Sequence, residues 1–410
     1  MRVLTYKDID RAEWNALVKT SATGTWFQGP EAYSFYESLP DLFQPFVFAV
    51  KSEGLRAVCV GYVTVEKNAV RQFFTRRAII LGGPVIANDA SSEEVEALML
   101  AVRELVVSGL GAPIYIESRN FNDYSKWKDA FAAAEFDYKP HLNFHVDPST
   151  NNLSDNRCRQ IRRACEAGAT TMIIDKMSAV EPLNDEAQIR EWYEVLAELY
   201  RTKVKTPLWP AEFFLEAYRQ GVGKFLLVKY EGKVIGGNMV VTDGKTVYEW
   251  FECGRNAEYK EQYPSVMATW AGIQWAQGNG CARYDMMGAG EPGVPYGVRD
   301  FKSEFGGEMV EHGRFLCVNK PMLTGAGTFA REAALLGVPA VSFFPRNEFL
   351  TVDVVLQEQG KEFKSRSPQE IREYVLAHAS SDKRSLGDTS RSKKVLEEVL
   401  GIFDGILSDI

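Results

Sequence analysis

The sequence predicts an α+β protein, with two tandem domains of mixed sheet and flanking helices and then a small C-terminal α/β fragment. Three observations carry this reading. A strand–hairpin–helix–strand unit occurs twice, near residues 1–147 and 148–318. Linker chemistry, "DPSTNN", separates the copies, because Asp, Pro, Ser and Asn favour turns over regular structure. From residue 319 to 410 the pattern changes to strands alternating with helices, the signature of parallel sheet.

In the first copy, "FVFAVKSEGLRAVCVGYVTV" is two apolar runs around Lys-x-Glu-Gly, at Lys51. In the second, "FLLVKYEGKVIGGNMVV" repeats the arrangement at Lys229. Glycine between apolar runs reads as a hairpin turn. A further hairpin is expected at Asp243-Gly244, before Val247–Phe251. Ser91–Ser108 and Pro264–Gln277 carry apolar residues at helical spacing, and Pro264 suits a first helical turn. Each helix feeds a strand, "APIYIES" and "CARYDMM". A chance match of short hairpins is the alternative to a true repeat. The second copy opens on a basic helix ending at Gly168, with Arg157, Arg159, Arg162 and Arg163 close together. Arg159 shares a helix face with Arg162 or Arg163. Such a run is either a solvated face or a local anion site.

The 410 residues carry 45% apolar and 25% charged side chains, the composition of a globular protein with sizeable cores. A net charge of −8 disfavours a grip on long nucleic acid such as DNA, though not contact with a few phosphates. No apolar run is long enough for a membrane span. The charged start "MRVLTYKDID" does not read as a signal peptide, and six scattered cysteines without a CxxC pair fit a reducing cytoplasm. No metal site and no tightly bound cofactor are expected.

The densest motif is "YDMMGAGEPGVPYGVRDFKSEFGGE", a strand opening into a glycine-rich loop. Phe301 and Phe305, four apart, fall on one face of a short helical turn and are expected in the core. Lys302 then points elsewhere, either to a cleft or to solvent. Asp285 ends the strand and either caps the loop through backbone N–H groups or accepts a proton.

This run resembles the FemAB-like branch of the GNAT acyltransferases, with its Asp-x-x-Gly strand end and Phe-Lys-x-x-Phe-Gly loop. "GTWFQGPEAYSFYES", "RCRQIRRACEAGA" and "YPSVMATWAGIQWAQGNGCARYDMMG" are similar to further family segments, in the family's order over about residues 1–318. In the first of these, Tyr33 stands where tryptophan is usual. The resemblance implies two tandem GNAT-like domains. It also implies transfer of an acyl or aminoacyl group, from acyl-CoA or aminoacyl-tRNA as cosubstrate, onto an amine. Lys302 and Asp285 become the catalytic candidates; Arg162, Arg163, Tyr248, Gly288, Tyr296 and Phe301 become substrate-binding candidates. The acceptor implied is a nucleotide-linked sugar or a peptidyl cell-envelope precursor. The Arg/Gln-x-x-Gly-x-Gly/Ala pyrophosphate loop of ordinary acetyl-CoA-binding members is missing from the sequence, which leaves the donor open.

The tail "PMLTGAGTFAREAALLGVPAVSFFP" resembles the DUF354 family, related to the donor half of GT-B glycosyltransferases. The resemblance implies a nucleotide-sugar patch at Gly325, Gly327, Thr328 and Glu332. About 90 residues are too few for a whole site of that kind, so the fragment is otherwise a docking module for a second copy or a glycan enzyme. A non-catalytic scaffold in surface-glycan biosynthesis is therefore the competing function.

Overall fold

A computed structural model describes residues 1–65, 76–107, 113–150, 152–178, 180–204, 206–318, 322–324, 330–331, 340–343, 351–360 and 362–379. The chain divides into two compact units, Met1–Cys317 and Val318–Ile410.

The first unit holds two sheets. Its strands are β1 (Arg2–Thr5), β2 (Phe43–Lys51), β3 (Leu55–Thr64), β4 (Ala78–Gly82), β5 (Val85–Ile86), β6 (Tyr115–Asn120), β7 (Asp137–Lys139), β8 (Leu142–Val146), β9 (Thr170–Ile174), β10 (Lys224–Tyr230), β11 (Lys233–Thr242), β12 (Thr246–Gly254), β13 (Arg283–Gly288), β14 (Glu308–Glu311) and β15 (Arg314–Val318). One sheet runs β1-β2-β3-β4-β6-β15-β7, with β5 on β3; the other runs β14-β8-β13-β12-β11-β10-β9.

The repeat read from the sequence is visible in both sheets. The hairpin β2–β3 corresponds to β10–β11, and each sheet then contains one parallel pair, β4 with β6 and β12 with β13. Each pair needs a crossover, supplied by the Ser92–Val107 and Pro264–Gly278 helices. The two hairpin turns differ. Glu231 and Gly232 both take positive φ, 48° and 78°, as a two-residue turn requires, whereas Ser52–Gly54 forms a three-residue loop. The Pro264–Gly278 helix is buried on nearly every side against β11 and β12, which explains its weak apolar periodicity.

The sheets do not separate at residue 147. β7 pairs with β15 in the first sheet, while β8 pairs with β14 in the second. The partners Leu316↔Asp137, Arg314↔Lys139, Glu311↔Leu142 and Glu308↔His145 belong to one continuous antiparallel register. A single ribbon, residues 137–146 against 308–316, thus leaves one sheet and enters the other. It bends at His141 and His312-Gly313, where the Gly313 N–H donates to the His141 carbonyl at 3.0 Å. The expected boundary misses this exchange because the crossing strands are short and mixed in polarity.

The second unit carries three parallel strands, Met322–Thr324, Ala340–Ser342 and Glu362–Lys364, paired in that order, with helices Thr351–Glu358 and Pro368–Ala379. Gly325, Gly327, Thr328 and Glu332, and the polar linker and last helix expected after residue 380, lie outside the described residues.

Candidate active site

The site begins with a bulge. β12 pairs with β11 so that Met239 opposes Phe251 and Val240 opposes Glu249, leaving Trp250 as the extra residue. A bulge turns two consecutive side chains to one face. Trp250 and Phe251 both line the cavity between the halves. Glu249 and Glu252, three apart in "YEWFECG", consequently share the opposite face, toward the Pro264–Gly278 helix. There Glu249 Oε1 accepts from Thr269 Oγ1 (2.9 Å), the Tyr284 hydroxyl (2.9 Å) and Asn238 Nδ2 (3.2 Å). Glu252 Oε1 is buried without a hydrogen-bond partner. Burial first, and then the neighbouring Glu249, push its carboxyl up to about 8, against the pull of Ser265 and Lys302.

The parallel pairing of β12 with β13 ends at Tyr248↔Asp285, and the strands then diverge. Lys302 enters at this point. It sits on the short Gly297–Ser303 helix, is only 8% exposed, and donates from Nζ to the carbonyls of Met286 and, at 2.7 Å, Gly288. The ammonium therefore satisfies carbonyls of β13 beyond the last β12 pair. Burial lowers its pKa, opposed by the charges of Glu249, Asp285 and Glu252. Gly306 explains part of the "EFGGE" motif: it takes φ +76°, and a Cβ there would lie 1.9 Å from the Asn152 carbonyl oxygen.

Asp285 is fully buried. Its Oδ1 accepts from the Met287 N–H at 2.7 Å, pinning a residue at φ +62°, and its Oδ2 lies 3.2 Å from His145 Nε2. Burial works to raise this carboxyl, but His145, Arg283 and the Met287 amide outweigh it and hold the group below the usual range.

On the Trp250 face lies a cavity of about 380 Å³, lined by residues of both halves. Its polar lining includes Arg77, Arg119, Arg314, His141, Asn120 and Asn143, and its aromatic lining Tyr62, Phe121, Tyr200, Trp209 and Trp250. Arg119 and Arg314 share one carboxylate, Glu117, at 2.8 and 2.5 Å. Arg77 has no hydrogen-bond or ion-pair partner for its guanidinium among the described residues. Burial and the Arg314 charge lower the His141 pKa, favouring a neutral ring. Three arginines against one glutamate leave this lining positive, suited to an anion.

On the other side, a second cavity of about 400 Å³ is lined by Arg157, Asn256, Lys260, Tyr263, Ser265, Val266 and Phe301. It opens at the N-terminus of the Pro264–Gly278 helix. Arg157 is 4% exposed, donates to the Phe301 carbonyl at 3.0 Å and stacks over Phe301 and Phe305, 4.5 and 4.9 Å from their ring centres.

The residues singled out by the sequence disperse over these parts. Gly288 lines the central cavity and Phe301 the second one, while Lys302 and Asp285 line neither. Tyr248 is a core residue: it is fully buried, packs edge-on to Phe27 and donates to Asp243 Oδ2 at 3.2 Å. Arg162 and Arg163 are exposed on their helix and line neither cavity. Arg157 is the member of that run that turns inward. Tyr296 is 43% exposed and caps the helix of Lys302. The sequence reading missed Arg77, Arg119 and Arg314, which no local pattern marks. It also missed Glu249 and Glu252, for which two carboxylates inside an apolar strand were the available signal. Among the described residues no group of three or more His, Cys, Asp or Glu side chains is placed to hold a metal ion.

Comparison with known proteins bears on the fold. Residues 156–303 match the acetyltransferase (GNAT) domain model, and residues 312–402 match a protein family of unknown function, DUF354. The crystal structure of FemX is similar over 78% of this chain and 97% of its own, with TM-score 0.58 and 13% identity. A tandem GNAT protein from the clavulanic acid pathway follows with TM-score 0.49, 12% identity, and 77% and 98% coverage. L-PGS from Bacillus licheniformis gives TM-score 0.47, 14% identity, and 86% and 96% coverage. No curated protein matches the chain.

Proposed function

We propose that this chain, a FemAB-like tandem GNAT fold joined to a DUF354 region, moves an activated acyl or aminoacyl group onto an amine. The acceptor amine belongs to a nucleotide-linked sugar or peptidyl precursor of the cell envelope, and the donor is aminoacyl-tRNA or acyl-CoA. The observation that carries this reading is the parting of β12 from β13 between two cavities, with Lys302, Glu252 and Asp285 packed around it. The central cavity, lined by both arginines and aromatic rings, takes the anionic, ring-bearing acceptor. The second cavity, with Lys260, Arg157 and a helix N-terminus, takes the phosphate of the donor's carrier.

In the reaction the amine lone pair attacks the ester or thioester carbonyl. The C–N bond forms, the C–O or C–S bond breaks, and the proton lost by nitrogen equals the one gained by the leaving hydroxyl or thiol. Orientation of the two substrates supplies much of the acceleration. Lys302 fixes two β13 carbonyls, of which Gly288 lines the central cavity, and its positive charge favours the developing oxyanion.

A thermal-shift panel of UDP-sugars, CoA thioesters and aminoacyl-tRNA mimics tests the reading, because a ligand of the folded state raises the melting temperature. One anionic acceptor and one donor class should each stabilise the protein, and RNase should abolish transfer only on the tRNA route. Stabilisation by none of them, with no transfer from either donor, favours the scaffold reading instead.

A further inference from the structure

Beside the central cavity lies a polar cluster, with several buried polar atoms, that the reaction above leaves unused. Four of the segments lining the cavity carry its residues, each within four positions of a lining residue. Asn143 is followed on β8 by His145, and Phe121 by Asn122. Gly313 is preceded by His312 at the ribbon's bend, and Met287 by Asp285 and Arg283 on β13. These five are in mutual reach. Arg283 donates to Asn122 Oδ1 at 3.1 Å, Asp285 opposes His145 in the strand register, and the His145 and His312 rings lie 5.1 Å apart.

The cluster has too few partners for its own polar atoms. Asn122 Nδ2, Arg283 Nε and His312 Nε2 are buried with no hydrogen-bond partner. His145 Nε2 and Asp285 Oδ2 have only each other, at 3.2 Å and without hydrogen-bond geometry. Buried polar groups are otherwise almost always satisfied, and a water needs two to four such partners. Three orphaned atoms and one ill-aligned pair, from five residues in one place, mark a site built for water, not for apolar packing.

We infer that this cluster is a hydrated proton relay for the acceptor amine, with His145 and His312 as its proton-accepting groups and Asp285 as the positioning residue. The inference rests on the proposed acyl transfer at the adjoining cavity. As the C–N bond forms, the amine proton passes through water to an imidazole Nε2. When the C–O or C–S bond breaks, the same proton returns through water to the leaving oxygen or sulfur, so nothing is stored over a turnover. His312 is faced by His145 from β8, by Asp285 and Arg283 from β13, and by Asp123 from the loop after β6. Burial, then the neighbouring His145 and Arg283, lower its pKa to about 4 against the pull of Asp285 and Asp123, so its ring is a neutral acceptor at physiological pH.

Two measurements on the full chain test the relay. The first follows the four histidine Cε1–H signals against pH by NMR, assigned by single His→Gln variants. Asp285→Asn should move the midpoints of His145 and His312 together and leave His378 in place; two unmoved midpoints overturn the shared proton. Should Asp285→Asn fail to fold, His312→Gln serves instead, and must displace His145. The second measures thiol release from acetyl-CoA with glucosamine 6-phosphate as an anionic amine. His145→Gln and His312→Gln should lower kcat by about 10²-fold with KM unchanged and alter the pH profile. A variant profile that superimposes on the wild type overturns the relay. Absence of wild-type turnover speaks against this donor and acceptor pair, and the NMR result then decides the relay alone.

Discussion

Lys302 shows what a single side chain does when it is buried as an ion. Its stem crosses from a short helix to β13, and its ammonium serves two carbonyls that β12 no longer reaches. Removing it leaves those carbonyls buried and unpaired, at a cost of about 1–3 kcal/mol each. Lys302→Ala should therefore lower stability in urea by about 2–4 kcal/mol and reduce transfer by a larger factor than melting alone explains. The motif "DFKSEF" exposes this lysine to a reader of the sequence; its partners stay hidden because they are backbone atoms sixteen and fourteen residues earlier. Glu252 is a second case. Its folded pKa, about 8, stands above the ordinary carboxyl value of 4.5. The folded state therefore binds a proton that the unfolded chain releases, and the stability this contributes is complete below 4.5 and lost as pH rises through 8. Glu252→Gln should flatten the fall in melting temperature between pH 5 and 8; an unchanged slope would mean that this carboxyl ionises normally.

At the scale of elements, the bulge in β12 decides which chemistry faces which cavity. If the same residues ran as a plain strand with no bulge, alternation would send Glu252 to the side opposite Glu249. Deleting Trp250 keeps Glu249 and Glu252 on one face, two residues apart, but strips an aromatic from the cavity lining; it should abolish ligand-induced stabilisation even if the protein still folds, as judged by thermal shift with the best acceptor analogue. The turn after the Lys302 helix is equally exacting. Gly306→Ala places a methyl group on the Asn152 carbonyl at a positive φ, and should cost at least about 1–2 kcal/mol in a chemical unfolding experiment. Hairpins and helices were legible because apolar spacing and turn residues act locally. The bulge was not, since Trp250 reads as one more apolar residue in a strand. β7 and β14, "DYK" and "EMVE", were not legible either: short, charged strands carry no alternation to detect.

For the molecule as a whole, the sequence predicted a tandem architecture correctly, through an internal echo and a family motif. The central cavity was beyond its reach, because Arg77, Arg119 and Arg314 come from three distant strands or their edges and converge only after folding. The contact partition places the first unit's end at Cys317. A chain ended after residue 318 should fold and melt within a few degrees of the full protein, by circular dichroism. A chain ended after residue 312 should be insoluble or unfolded. It lacks β15 from the interior of the first sheet, and with it the buried Phe315, stacked 3.9 Å from Phe131.

The ribbon that passes from one sheet into the other has a mechanical consequence. One added residue in either of its strands, where no bulge takes it up, shifts a pairing frame that serves both ends. The slip would carry through the bend and rotate Arg314 away from Glu117, or His145 away from Asp285. Any tug on one lobe therefore reaches the other as a shift in strand alignment, and the pocket walls, anchored on that shared pair of strands, move with it.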